Sequence, residues 1–175
     1  MANRSPWSDW LSICLLRRAP QDVPHSQALT RNMVIVSVLA DSALVYVARS
    51  EHAVPAVLIS LGFLLLVPWL LLNFTGLSAR YWQTLAALAG TSVLFCIGFL
   101  PVIYMWQQAG PIVEGETPSQ LHLAAFFLHI GLNAWRLIVV AHIFRHALGV
   151  RMFAASLLAV SWFVVEFSAN SWLFG

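Results

Sequence analysis

Residues 54–74 read VPAVLISLGFLLLVPWLLLNF, a predominantly apolar stretch without a charged side chain. A helix needs roughly 20 predominantly apolar residues to cross the hydrocarbon core of a bilayer, so this stretch predicts a transmembrane helix. Four further apolar stretches have the same character, and they lie at residues 33–48, 81–106, 121–144 and 152–173. The sequence therefore predicts an all-α integral membrane bundle of five transmembrane helices within residues 31–175.

The composition agrees with a membrane protein. Of the 175 residues, 60% are hydrophobic and 9% are charged, and the mean hydropathy is +0.80, whereas roughly 25% of a soluble domain is charged. The net charge of +2 is too small to indicate a nucleic-acid partner. Cys14 and Cys96 have neither the spacing nor the context of a disulfide or a zinc site, so we expect no bound metal.

The arginines are distributed unevenly between the predicted loops. In a five-span topology, Arg49 lies on one side of the membrane and seven arginines lie on the other, namely Arg4, Arg17, Arg18, Arg31, Arg80, Arg145 and Arg151. Positive residues concentrate in cytoplasmic loops. This asymmetry predicts a cytoplasmic N-terminus and an external C-terminus.

Residues 1–30 form a separate N-terminal segment. Ser5 followed by Pro6 is typical of a helix start, and the helix would place an apolar face at Trp7, Trp10, Leu11, Cys14 and Leu15. Arg17 and Arg18 follow instead of a small-residue cleavage site, so we expect no cleaved signal peptide. Two placements of this helix remain open: an amphipathic helix in the membrane interface, or a helix packed against the bundle.

Prolines and small residues indicate how the spans pack. Pro68 and Pro101 should each kink a span and free a carbonyl that a neighbouring helix must satisfy. Ala86 and Gly90 form a pair of small residues at a spacing that lets another helix approach closely.

Four ionisable side chains lie well inside the predicted spans, namely Asp41, His129, Arg136 and Glu166, while His122 and His142 lie at the two ends of the fourth span. A charge at the bilayer centre costs roughly 2.5–3.5 kcal/mol on insertion scales, so it normally faces the bundle and finds a partner. At ~1.5 Å rise per residue, Asp41 and Arg136 lie at matching depths, as do His129 and Glu166. We therefore predict an Asp41–Arg136 ion pair between the first and fourth spans.

Polar residues also recur on one side of the fourth span. Four of them fall within about 60° of one another on a helical wheel, and these are His122, His129, Asn133 and Arg136. Glu166 and Asn170 share a face of the fifth span because they are four residues apart. Together with Asp41, these residues predict a polar seam inside the bundle, built from the first, fourth and fifth spans.

The seam admits two functional interpretations. Buried polar pairs fix which helices meet, as in a scaffold, assembly or regulatory subunit of a membrane complex. Alternatively, Asp41, His129 and Glu166 are titrating relays of a proton- or ion-coupled transporter or channel component. Haem between two helices is disfavoured because every intramembrane histidine lies on the fourth span. No catalytic motif is present, so we expect no cofactor and no enzymatic activity.

Leu15-Leu16-Arg17-Arg18-Ala19-Pro20, followed by Gln21-Asp22-Val23-Pro24, precedes the first span. Together with five spans and a cytoplasmic N-terminus, this stretch resembles the Yip1-type membrane proteins, and it is similar to what precedes the first helix in proteobacterial inner-membrane proteins. The resemblance implies a non-enzymatic multi-pass protein of the cell inner membrane. Its expected partners are the lipid bilayer and other membrane proteins or further copies of itself.

Overall fold

The computed structural model describes residues 6–48, 52–112 and 117–174. This part of the chain contains no strand, and its α-helices are α1 (Pro6–Cys14), α2 (Gln27–Val47), α3 (Ala53–Phe74), α4 (Tyr81–Ala109), α5 (Gln120–Leu148) and α6 (Met152–Phe174). Two short 3-10 helices lie at Pro20–Asp22 and Ser78–Arg80. The five helices from α2 to α6 are long and apolar enough to cross a membrane, judged by length and composition. The prediction of five spans is confirmed at that level.

Helix ends follow local hydrogen bonding more closely than hydropathy. Helix α2 begins at Gln27, six residues before the predicted span at 33, because Ser26 caps it by accepting a hydrogen bond from the Leu29 N–H at 3.2 Å. Ser119 caps α5 in the same way. Helix α5 ends at Leu148, and the following Gly149 has a φ of +69°, the left-handed conformation that glycine adopts readily. The helices therefore extend into polar sequence beyond the apolar stretches.

Helix α4 lies at the centre of the bundle. Every residue from Thr84 to Thr91 is buried, and α4 contacts α2, α5, α1 and α3. Helix α6 packs on α5, and α3 completes the arrangement by contacting α2, α4 and α6. The bundle therefore encloses an interior between all five spans.

Six arginines of the described residues lie at one end of the bundle, which we call the basic end: Arg17, Arg18, Arg31, Arg80, Arg145 and Arg151. Arg80 donates to the carbonyls of His146 and Ala147 at the end of α5, so the start of α4 and the end of α5 meet there. The predicted side markers Arg4 and Arg49, and the predicted cap Ser5, lie outside the described residues.

Helix α1 packs against α4 and α5 near the basic end. Its Trp10 and Ile13 are 2% and 0% exposed, and a Cβ added at Gly90 would lie 2.4 Å from the Trp10 indole. Gly90, which was predicted to let another helix approach closely, therefore leaves space for the Trp10 indole of α1. Of the two placements left open by the sequence, α1 packs against the bundle, while Trp7 and Leu11 on its other face stay exposed.

Both prolines predicted to interrupt spans lie inside continuous helices, Pro68 in α3 and Pro101 in α4. The Tyr81 hydroxyl of α4 donates to the Leu65 carbonyl at 3.3 Å. This carbonyl is adjacent to the one that Pro68 leaves free, because a proline lacks the N–H that would bond four residues back. This hydrogen bond joins α3 to α4 close to Pro68.

Candidate functional site

A cavity lies at the centre of the bundle, and residues from all five spans line it. Its deep part has a volume of about 40 Å³. The charged and polar side chains lining this part are Asp41, Ser60, Thr91, Ser92, Arg136 and Glu166. A polar cavity can hold a water molecule once it offers roughly 10–15 Å³ to a water-sized probe, so water fits beside these charges.

The outer part of the cavity is larger, with a volume of about 320 Å³. It shares Asp41, Arg136 and Glu166 with the deep part and extends to Val45 near the end of α2 and Asn170 near the end of α6. Most of the side chains added here are apolar, namely Leu44, Val45, Ala56, Val57 and Phe167. The cavity therefore has a charged floor and an apolar wall, and it extends away from the basic end.

Asp41 is held by a neighbour on the central helix. The Cys96 thiol of α4 donates a hydrogen bond to Asp41 Oδ1 at 2.9 Å. This bond fixes the carboxylate of α2 against α4 and occupies one of its two oxygens. The sequence did not indicate this contact, because a lone cysteine in an apolar run is usually a small core residue.

Arg136 faces the same cavity as Asp41, but the predicted ion pair between them is not formed. The two side chains interact electrostatically, yet the one salt bridge within 4.0 Å in the described chain joins Arg18 to Asp9. The guanidinium of Arg136 donates no hydrogen bond to any other described residue. As their matching depths indicated, the two residues line one cavity, but their charged groups are not in direct contact there.

Glu166 contributes the third charge, from α6. Its Oε2 accepts a hydrogen bond from Trp162 Nε1 at 2.9 Å, one helical turn away. The partner predicted from depth, His129, does not line this cavity. The His129 side chain is exposed and contacts the Phe99 ring, with the ring centroids 5.6 Å apart. The outer half of α5 is mostly exposed around its circumference, which leaves His129 without the expected partner.

The remaining members of the predicted seam have local roles. His122 is buried at the start of α5, where its Nδ1 lies 2.8 Å from Ser119 Oγ and its Nε2 donates to the Gly110 carbonyl at 3.0 Å. Asn133 and Asn170 each donate to the carbonyl of the residue four positions before them on the same helix. The structure thus gathers Asp41, Arg136, Glu166 and Asn170 at the cavity and separates His122 and His129 from it.

The side chains that line the cavity include donors, acceptors and ionisable groups. Two carboxylates can accept protons or cations, and an arginine can bind an anion through its five N–H donors. No group of three or more histidine, cysteine or acidic side chains that could hold a metal ion occurs among residues 6–48, 52–112 and 117–174. The carboxylates and the guanidinium can take part in electrostatic and acid–base chemistry.

Comparison of the chain with protein-family models, with curated proteins and with solved structures finds no match.

Proposed function

We propose that this chain is a multi-pass membrane protein that takes protons, ions or a small polar solute into its central cavity, as a transporter or channel component. The observation that carries the proposal is that Asp41, Arg136 and Glu166, on three different helices, line one cavity without forming a contact ion pair. Ionisable groups that face a water-filled space inside a bundle are typical of substrate and proton pathways.

The hydrogen bonds around the cavity favour this function over structural glue. Side chains that only hold helices together would bond across helices. In the cavity, Glu166 bonds within α6 and Arg136 bonds to no described residue, while Asp41 alone bonds across helices, to Cys96. Carboxylates with an unoccupied oxygen beside a guanidinium can exchange protons with cavity water.

The proposal includes the placement in the cell. The N-terminus and the basic end face the cytoplasm of a bacterial inner membrane, because arginines concentrate on that side. The exposed apolar face of α1, with Trp7 and Leu11, then lies in the cytoplasmic interface of the bilayer. The cavity opens towards the external side. A relation to the Yip1-type proteins belongs to the same proposal and draws its support from the five candidate spans.

Proton flux into liposomes tests the function. Purified protein reconstituted with a trapped pH-sensitive dye should conduct protons down an imposed gradient, and Glu166→Gln should reduce the rate at least tenfold. Asp22→Asn is the matched control, because Asp22 is exposed at the basic end and away from the cavity. A rate for Glu166→Gln equal to that of the Asp22→Asn control would exclude a role of the cavity in proton movement.

His129 supports a second candidate function, that of a scaffold, assembly or regulatory subunit. It is exposed nine residues into α5, roughly 13 Å from the helix start at 1.5 Å per residue. A polar side chain at that depth is unfavourable in lipid, so a partner helix covering it would be stabilising. His129→Leu should then shrink the complex seen in native gels of solubilised membranes, and an unchanged size would argue against assembly through this surface.

A further inference from the structure

The unmet hydrogen-bonding capacity of the cavity is concentrated on Arg136. Its guanidinium has five N–H donors in a planar fork, and none of them bonds to another described residue. A carboxylate matches that fork, because its two oxygens accept two parallel N–H bonds. Cavity water can hydrate the guanidinium, but a water molecule does not offer the two parallel acceptors that a carboxylate does. The arginine is therefore suited to hold an anionic group of a solute.

The two carboxylates have unoccupied acceptors, whereas Arg136 has unoccupied donors. Cys96 occupies Asp41 Oδ1 and Trp162 occupies Glu166 Oε2, while the second oxygen of each group bonds to no described residue. An ammonium group has three donors and suits such acceptors. An amine alone would leave the Arg136 donors without an acceptor. An anion alone would place three negative charges around one guanidinium. A solute that carries both groups meets both needs.

The walls and the size of the cavity limit the rest of the solute. The outer part is lined by aliphatic and aromatic side chains such as Leu44, Val57 and Phe167, which favour an apolar substituent. Its volume of about 320 Å³ falls at the small end of the range of roughly 300–1,000 Å³ for pockets that bind small molecules. Nucleotides and other large, highly charged molecules do not fit this description.

We infer that the cavity binds a small zwitterion with one carboxylate, one ammonium group and an apolar substituent, as an apolar amino acid has. The carboxylate pairs with Arg136, the ammonium group lies between Asp41 and Glu166, and the substituent extends along the apolar wall towards the open end. This inference rests on the proposed function and names the solute class that the cavity takes.

Equilibrium binding to protein in lipid nanodiscs tests the inference with three probes of similar shape. L-leucine carries both charged groups, isoamylamine lacks the carboxylate, and isocaproate lacks the amine. We expect leucine to bind at least tenfold more tightly than either analogue. Arg136→Gln and Glu166→Gln should each weaken leucine binding at least tenfold. Ser161→Ala, an exposed position on α6 outside the cavity, should leave it unchanged.

Several outcomes would overturn the inference. Isoamylamine binding as tightly as leucine would make this a cation site, and isocaproate binding as tightly would make it an anion site. Binding is compared only among variants that elute from a size-exclusion column as the wild-type protein does. Arg136→Lys provides a second substitution at the same position. If no probe binds while Glu166-dependent proton flux persists, the zwitterion is wrong and the proposed function stands. If both binding and flux are absent, both proposals fail.

Discussion

Arg136 has surroundings that an arginine inside a bundle rarely has. It is half-buried, it lines both parts of the cavity, and no described carboxylate lies within salt-bridge distance of it. Removing one partner of a buried contact ion pair typically destabilises a protein by about 3–5 kcal/mol. Removing a charge whose neighbours remain hydrated destabilises it far less. The stability of variants therefore distinguishes a hydrated cavity from a structural ion pair.

Asp41 and Arg136 should be weakly coupled in folding stability. We expect Asp41→Asn, Arg136→Met and the double variant to give a coupling free energy below about 1 kcal/mol, because the two charges form no contact ion pair and face a cavity that can hold water. The measurement is a double-mutant cycle of unfolding free energies in detergent micelles. A coupling free energy of about 3 kcal/mol or more would mean that the two side chains form the direct ion pair that the sequence predicted.

The docking of helix α1 on the bundle depends on the absence of a side chain at Gly90. The Trp10 indole occupies the space where a Cβ would lie, at 2.4 Å, and the indole is fully surrounded by α4 and its neighbours. The same packing buries Cys14, and burial raises the pKa of its thiol to about 11. A thiol reacts with maleimides as the thiolate, so docking suppresses the reactivity of Cys14 in two ways.

Gly90→Ala should therefore expose Cys14 to modification. With its thiol pKa at about 11, roughly one Cys14 thiol in a thousand is ionised at pH 8, and the rate should rise with pH up to that value. Overpacking of a core position costs about 1–3 kcal/mol, which should release α1 and speed N-ethylmaleimide labelling of Cys14 by at least tenfold at pH 8. Mass spectrometry of the labelled peptide separates Cys14 from Cys96.

Gly131→Ala is the matched control for this experiment. Gly131 lies in α5, and a Cβ there would meet nothing within 4 Å. Alanine at this position should leave the labelling rate of Cys14 unchanged and should favour the helix. If Gly90→Ala labels no faster than Gly131→Ala, the close contact between Trp10 and α4 is not what holds α1 in place.

The elements also show which features the sequence could predict. Hydropathy located all five spans, because each span must satisfy the same length requirement in lipid. Hydropathy placed the start of α2 six residues late. The helix begins earlier because Ser26 caps it, and its first residues include polar side chains that hydropathy excludes from a span. Depth along the helix axis correctly grouped Asp41 with Arg136. Depth does not show the distance between neighbouring helices. That distance decides whether two side chains are in contact or face a cavity.

The histidines show a further limit of helical periodicity. His129 and Arg136 share one side of α5, as their spacing of seven residues requires. However, a helical wheel does not show where along that side the neighbouring helices are close enough to enclose a space. Arg136 lies where all five helices line the cavity, and His129 lies in the exposed outer half of α5. The partner of Asp41, Cys96, carried no recognisable signal in the sequence.

The bundle as a whole combines a basic end, where α1 packs on α4 and α5, with a cavity that extends towards the other end. The N-terminal segment is held to the bundle there, with Gln83 Nε2 donating to the Val23 carbonyl at 2.9 Å and His142 Nε2 donating to the Arg18 carbonyl at 2.9 Å. Apolar side chains such as Leu64 and Leu88 line the deep part of the cavity. If the proposed function holds, solute and water enter from the end of the bundle opposite the basic end.

Access of water to the charged floor is the most direct test of this arrangement. In a Cys14→Ala background in nanodiscs, Ser60→Cys introduces a thiol that lines both parts of the cavity. Leu66→Cys introduces one on the outward face of the same helix, where the native side chain is 58% exposed. Thiols ionise and react with a charged methanethiosulfonate reagent only where water reaches them, and the parent protein reports any labelling of Cys96.

We predict that Ser60→Cys reacts at least tenfold faster than Leu66→Cys, because water fills the cavity, whereas lipid surrounds the outer face of α3. Equal, slow labelling of Ser60→Cys, Leu66→Cys and the parent protein would contradict a hydrated cavity at the centre of the bundle.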